Sequence, residues 1–432
     1  MKKLRALQRE YFHALRVGWF LALRQIKRSG KGTTALIIFI MVLTFLNLVV
    51  VSGLLLGLIT GSFVQFRDAY SGEVIITAAE GMDHIENSPA LVNFLESHPK
   101  VEAFSPRYGA GVTVLGTLTR LPEKNERPNQ LSMRVMGIDV EREEVVTGFS
   151  RFLKYGEHLA PGEEGYMLIG ANLLKKYSAF ADANIPGLDL LDDVDVGSRV
   201  RMTLSRKDGG IVRKDFIIKG IVKSKVDEIS TRMFISNQEL RRLLPINKEQ
   251  LQEIAVRTDL EYAPRLVEEI KTFMGSYAAR VQTSDEAIPS FLRDIETTFG
   301  VLGNALSSIG VVVASITVFI VIFINAVTKR KFIGIMKGIG VSPRAIELSY
   351  VFQAFFYGFF GCLIGVLLTF GFLEPYFAAN PIDFPFSDGI LVVTPTGAAL
   401  RVAILMAVTL FAGYLPAKLI VRRNTLDAIL GR

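Results

Sequence analysis

The stretch TALIIFIMVLTFLNLVVVSGLLLGLIT, Thr34 to Thr60, decides the fold. It holds no charged residue, and at about 1.5 Å per residue it outreaches the roughly 30 Å hydrocarbon core of a bilayer. A backbone in lipid must satisfy its own polar groups, so the stretch reads as a transmembrane helix. The run far exceeds the apolar core of a cleaved signal peptide, roughly 7 to 15 residues, and about thirty residues precede it. Three further apolar runs occupy the C-terminal third, Leu306 to Val327, Leu348 to Phe372 and Ala398 to Leu419. The expected architecture is a membrane protein, α-helical with four transmembrane helices, carrying a large α+β extracytoplasmic domain between the first and second.

Composition agrees. The chain has 432 residues, half of them apolar, with a mean hydropathy of +0.35, which excludes an ordinary soluble or disordered protein. The single cysteine, Cys362, excludes an intrachain disulfide scaffold. The net charge of +7 is unevenly spread. Residues 62 to 300 carry 30 basic and 36 acidic side chains, and the remainder carries 19 basic and 6 acidic. Nine of the basic residues lie in segment 1 to 33 and five in the loop 328 to 347, whereas the loop 373 to 394 has none. The positive-inside rule places both termini in the cytoplasm and the protein in the cytoplasmic membrane as a multi-pass chain. Attraction to anionic lipid headgroups accounts for the basic excess, so no nucleic-acid partner is expected.

Between the first two spans, strand-like runs at 72 to 78, 131 to 138, 199 to 205, 215 to 223 and 251 to 258 alternate with helical stretches at 88 to 98, 170 to 180, 236 to 244 and 262 to 274. The expected organisation is an amphipathic cytoplasmic helix (1–33), the first span (34–60), an α+β domain (61–283) with an inserted subdomain at about 140–215, and a stalk helix (284–305). The second span (306–327), a cytoplasmic loop (328–347), the third span (348–372), an outer loop (373–397), the fourth span (398–419) and a cytoplasmic tail (420–432) follow. The stalk rests on the capping-box spacing of Thr283 and Glu286 and on apolar residues at helical intervals from Phe291 onward, which predict one helix from about 284 to 327.

No catalytic or metal site is expected. The run Ser29-Gly30-Lys31-Gly32-Thr33-Thr34 lacks the first glycine of a phosphate loop, Gln25 standing in its place. Asp83, His84, Glu86 and His98 match no familiar metal spacing, and Asp192, Asp193 and Asp195 lack the rest of a calcium loop. Gly53, Gly57 and Gly61, and again Gly361 and Gly365, have the small-xxx-small spacing that lets helices approach closely, within the chain or with a second copy.

The loop after the second span is the sharpest signal. It reads TKRKFIGIMKGIGVSP from Thr328, a basic cluster, a short amphipathic stretch, a glycine, then Ser342-Pro343 as a helix start. Such a stretch lies on a membrane surface or enters a groove of a partner. Here the chain resembles the FtsX/MacB/LolC-type permeases of ABC transporters, in the pattern formed by Arg330, Ile333, Gly334, Ile335, Met336, Lys337, Gly338, Ile339 and Gly340. The segments LALRQIKRS (21 to 29), VMGID (135 to 139), IGANLLKKY (169 to 177) and LPAKLIVRRNTLDAIL (415 to 430) are similar too.

The resemblance implies a non-catalytic permease that pairs as a homodimer or heterodimer and binds two copies of a separate ABC ATPase, which holds the ATP and Mg. Arg330, Lys331, Ile333, Gly334, Ile335, Met336, Lys337 and Gly340 would then couple the ATPase to the membrane helices. Nucleotide-driven closure would move the outer domain to extract or export a lipoprotein, lipid, peptide or amphipathic small molecule, with an extracytoplasmic adaptor or substrate protein as a further partner. The alternative is an FtsX-like regulator of an outside partner such as a cell-wall hydrolase.

Overall fold

The computed structural model describes residues 2–28, 30–116, 128–178, 181, 189–206, 209–244, 250–384 and 387–421. Most of the expected tail, 422–432, lies outside them. In chain order the elements are α1 (Lys2–Arg28), α2 (Lys31–Phe66), a π-turn (Arg67–Ser71), β1 (Val74–Ala78), α3 (Ser88–Ser97), β2 (Val101–Leu115), β3 (Gln130–Ile138) and α4 (Val140–Thr147). Then come β4 (Leu153–Gly156), β5 (Tyr166–Gly170), β6 (Arg199–Ser205), β7 (Ile211–Val222), α5 (Asp227–Ser230), β8 (Met233–Ser236), α6 (Asn237–Leu243), β9 (Glu253–Thr258), α7 (Ala263–Met274), β10 (Ala279–Thr283) and α8 (Ser284–Ala287). The chain continues with α9 (Ser290–Thr328), α10 (Arg330–Gly338), α11 (Pro343–Leu368), α12 (Glu374–Ala379), the ribbon β11 (Ile382–Phe384) and β12 (Ser387–Gly389), and α13 (Pro395–Val421). Two compact units result, one of residues 1–59, 294–383 and 388–432, the other of 60–293 and 384–387.

Among the described residues, four helices are long and apolar enough to cross a membrane, built on α2, α9, α11 and α13, and they make up most of the first unit. Their shared core includes Met41 and Phe45 of α2, Val318 and Ile322 of α9, Tyr350 and Ala354 of α11, and Leu405 and Ala412 of α13. On α9 the inward stripe is Ala314, Val318, Ile322 and Ala326, one residue per turn, while Ile309, Val312, Ile316 and Ile320 face outward. The amphipathic α1 packs along α11. Its Gly18 lets the helices close until an added Cβ would sit 3.0 Å from the Ala345 carbonyl, Trp19 meets Phe352 edge-on at 5.3 Å, and Gln353 Nε2 donates to Gln25 Oε1 at 2.6 Å.

The second unit is the α+β domain. An antiparallel sheet ordered β10-β1-β9-β2 carries α3 and α7 over a core of Ile76, Leu91, Ile254, Leu266 and Ile270. The inward stripe of α7, Leu266, Val267, Ile270 and Met274, has the spacing the amphipathic pattern demands. The second half of β2 leaves this sheet and joins a ring of six strands, β2-β3-β8-β5-β7-β6, closed because β6 pairs with both β7 and β2. Closure removes the exposed edges that would invite aggregation, and fills the ring with Val114, Val135, Ile169, Met202, Phe216 and Ile235.

Three expectations need correction. The inserted part begins midway along β2 and runs to β8, wider than 140–215, because β2 and β3 both close the ring. The helix expected at 170–180 is only a 3₁₀ turn at Ala171–Leu173; Leu173 and Leu174 are both fully buried, and Leu191 N donates to the Leu173 carbonyl while Lys175 N donates to the Leu191 carbonyl, which an amphipathic surface helix would not allow, and 179–180 lie outside the described residues. The stalk is not one helix from 284. The Thr283–Glu286 capping box does form, but α8 lasts one turn, and Ile288 turns extended (φ −53°, ψ 128°) ahead of Pro289, which disfavours helix in its predecessor. The helix α9 then runs 39 residues, about 58 Å at 1.5 Å each, through Gly300, Gly303 and Gly310.

Candidate functional site

Helix α10 carries the residues singled out in the loop after the second span. It begins where the α9 geometry breaks at Lys329 and ends at a tight turn in which Gly340 adopts φ +94°, a conformation side chains resist. Val341 N donates to the Met336 carbonyl at 2.9 Å, and the Ser342 side chain caps α11 by accepting from Ala345 N, with Pro343 as the first helical residue. The amphipathic stretch is divided between two faces. Ile333, 2% exposed, and Gly334 are buried, and Met336 packs against the core of the apolar helices. Phe332 (67%), Ile335 (50%) and Ile339 (75%) point away with Lys331, while Arg330 and Lys337 are half-buried. An acidic substitution at Ile333 would therefore strike the helix core; Phe332 and Ile335 are the positions that report on a surface contact.

The glycine stripes behave differently from each other. On α11, a Cβ at Gly361 would run into Met41 and one at Gly365 into the Phe45 ring, so these glycines bring α11 against α2 of the same chain. On α2, Gly53 and Gly57 do not face a helix. An extended segment before α13 covers them: Val392 N donates to the Gly53 carbonyl at 3.1 Å, and a Cβ on Gly57 would fall on the Ile390 carbonyl. The close approach is one of helix to extended backbone, with Gly61 half-buried a turn further on.

In the α+β domain the structure assembles a buried ionic cluster that sequence spacing did not announce. Arg107 on β2 donates from Nε and Nη2 to Glu143 Oε2 and Oε1 of α4, at 2.8 and 2.5 Å; both side chains are 3% exposed. Ser105 Oγ donates to Glu143 Oε2 at 2.7 Å and Thr147 Oγ1 to Oε1 at 3.0 Å, so the carboxylate is fully engaged. Tyr70, in the π-turn after α2, donates to Glu253 Oε2 of β9 at 2.6 Å and accepts from Arg232 Nη1 at 3.0 Å. The Arg107 and Arg232 guanidinium carbons lie 4.9 and 5.1 Å from the Tyr70 ring centroid. Burial opposes the charge on Arg107, but the Glu143 carboxylate beside it outweighs that, and its pKa stands above the ordinary guanidinium value. Two cations and two anions thus neutralise one another while tying the π-turn to β2, β8, β9 and α4. Partners as far as 183 residues apart leave no local spacing to read; the available signal was the charge of Glu253 at the head of the strand-like run of β9, since Arg107 sits among Pro106, Gly109 and Gly111.

Glu86, His98, Asp192 and Asp195, weighed as metal ligands, have other partners. Glu86 accepts from Ala278 N at 2.8 Å, His98 Nε2 lies 3.0 Å from Glu269, Lys175 pairs with Asp192 at 2.7 Å and Lys176 with Asp195 at 2.5 Å. The Lys176 and Tyr177 hydrogen bonds hold the Asp195 pKa down at about 2.

Residues 304–425 match the family model of the FtsX-like permease C-terminal domain. The chain is 26% identical over 185 residues to the ABC transporter permease YtrF of Bacillus subtilis (strain 168), a match covering 40% of this chain and 41% of that one; it thus spans about two-fifths of the relative's length. Among solved structures, the periplasmic region of MacB from Actinobacillus actinomycetemcomitans matches at TM-score 0.33 and 14% identity, over 50% of this chain and 91% of that one. The extracellular domain of the noncanonic ABC-type transporter YknZ from Gram-positive bacteria matches at TM-score 0.30 and 12% identity, over 49% and 99%.

Proposed function

We propose that this chain is the non-catalytic permease subunit of an FtsX-like ABC transporter, docking a separate ATPase through residues 329–340, a reading supported by the match of residues 304–425 to the FtsX-like permease C-terminal family. The observation that carries this reading is the division of α10. Ile333, Gly334 and Met336 key the helix into the core of the apolar helices, and Phe332, Ile335 and Ile339 offer a small apolar surface beside Lys331. A force on the outer face is thereby delivered to the spans, as a coupling helix requires. Two permease copies, alike or different, hold two ATPases, and those partners bind the ATP and Mg.

The charge asymmetry supports termini and α10 in the cytoplasm and the α+β domain outside. The unbroken α9 is stiff enough to carry a displacement from the spans, with the Ile288–Pro289 break as a joint. Closure of the ATPases then shifts the α+β domain between two states, acting on a lipoprotein, lipid, peptide or amphipathic small molecule outside the bilayer.

The test is co-purification of the ATPase with the tagged chain in mild detergent. Phe332→Asp with Ile335→Asp removes two exposed apolar anchors, worth about 1–2 kcal/mol each in a desolvated contact. The variant is expected to lose at least tenfold in retained ATPase while keeping the thermal stability of the parent. Full retention of the ATPase would remove the docking role from α10.

A further inference from the structure

We propose that the groove between α3, β2 and α4 is a binding site for a basic peptide segment in which Lys or Arg alternates with aliphatic residues. The groove encloses about 360 Å³, within the range of ligand pockets. Its floor is apolar, built from Leu95, Val101 and Phe104, and its rim carries the exposed carboxylates Glu96, Glu102 and Glu141.

A local irregularity builds this surface. In a regular strand successive side chains point to opposite faces, yet residues 101 to 104 all line the groove. The pairing of β2 with β9 shifts register between Val101, opposite Thr258, and Ala103, opposite Arg257, so Glu102 is the extra residue of a bulge. Bulges re-aim side chains, and here the bulge sets a carboxylate beside an apolar floor.

The groove also displays its own recognition chemistry. The Arg142 guanidinium carbon stands 4.6 Å from the Phe104 ring centroid, and Arg142 Nη2 donates to Glu96 Oε1 at 2.9 Å. An aromatic face with a carboxylate at its edge is a cation acceptor, and the chain's own arginine occupies it. Both members of the pair are exposed, at 41% and 48%, so the contact is weak and readily exchanged. Glu102 and Glu141 form no ion pair among the described residues. Three carboxylates thus outnumber the two guanidiniums at the groove, Arg142 and Arg257, whose Nη1 donates to the Val145 carbonyl at 3.1 Å, and charge complementarity calls for a cationic guest. The apolar floor, and Val145 exposed at the rim, call for aliphatic groups next to that cation. A basic peptide segment supplies both, with its ammonium or guanidinium displacing Arg142 from Phe104. This inference does not depend on ATPase docking.

The experiment is an anisotropy titration of fluorescein-labelled hexapeptides, alternating leucine with arginine, glutamine or glutamate, against the full chain in a neutral maltoside detergent. Saturable binding of the arginine peptide alone is expected, weakening with salt. Glu102→Gln with Glu141→Gln should weaken it about five- to tenfold, as loss of two exposed charge contacts does, and Arg142→Ala should tighten it about threefold by vacating the acceptor. Equal binding of the glutamine peptide, equal binding to the Glu102→Gln/Glu141→Gln variant (the mark of adsorption to the micelle), or weaker binding to Arg142→Ala would each overturn the proposal.

Discussion

Glu143→Ala is expected to destabilise the α+β domain by about 3–5 kcal/mol, because it strands Arg107 as a buried charge without its bidentate partner. The nearest remaining carboxylate, Glu253, lies 4.0 Å from Arg107 Nη1, and that nitrogen already has no hydrogen-bond partner among the described residues. In a domain of this size the loss corresponds to a fall of about 6–20 °C in the unfolding midpoint. Limited proteolysis of the full chain across a temperature ramp would read it, since cleavage within 60–293 reports this unit. Replacing both partners, Arg107→Met with Glu143→Leu, should restore most of the stability, because desolvating the pair costs nearly as much as its attraction returns. A Glu143→Ala chain as resistant as the parent would refute the structural weight given to the pair.

Gly361→Leu or Gly365→Leu should disrupt the packing of the apolar helices, each by about 1–3 kcal/mol or more. At both positions even a Cβ collides with α2, at Met41 or at the Phe45 ring, and these residues are fully buried. The measurable outcome is a smaller monodisperse fraction on size exclusion and a lower melting temperature in detergent. Gly300→Ala is the matched control. Nothing lies within 4 Å of its Cβ position on α9, so the substitution should be neutral or raise helix stability by about 0.5–1 kcal/mol. A Gly361→Leu protein that melts with the parent would mean that α2 and α11 do not pack as described.

The parts that could be read from sequence were those governed by local pattern. All four spans, and strands such as β6 at 199–205, follow from hydrophobic runs or alternation, and the Thr283 capping box from its spacing. Strand β2 escaped because Pro106, Gly109 and Gly111 look like breakers, yet Pro106 pairs with Ile254 within a strand of 15 residues. The amphipathic stretch at 330–339 was legible as a helix, but its division was not: which of Ile333 and Ile335 turns inward depends on where α9 ends, and that is set by tertiary packing. Likewise the ionic cluster joins Tyr70, Arg107, Glu143, Arg232 and Glu253 through sheet pairing, which no spacing rule encodes. The covering of Gly53 and Gly57 by residues 390–393 belongs to the same class, since small-xxx-small spacing specifies close approach without specifying by what.

The position of β1 has a bearing on how the protein is made. Its neighbours in the sheet are β9 and β10, which begin at Glu253 and Ala279, so β1 is synthesised about 175 residues before either. At roughly 5–20 residues per second, Val74, Ile75 and Ile76 wait about 10 to 35 seconds with both edges unpaired. All strands of the six-membered ring are synthesised by Ser236, within that interval, so the ring can close first. The nascent chain therefore needs something to shield the 74–78 segment during that wait, while the strands of the ring, all of which precede β9 in the chain, emerge ahead of the partners that β1 needs.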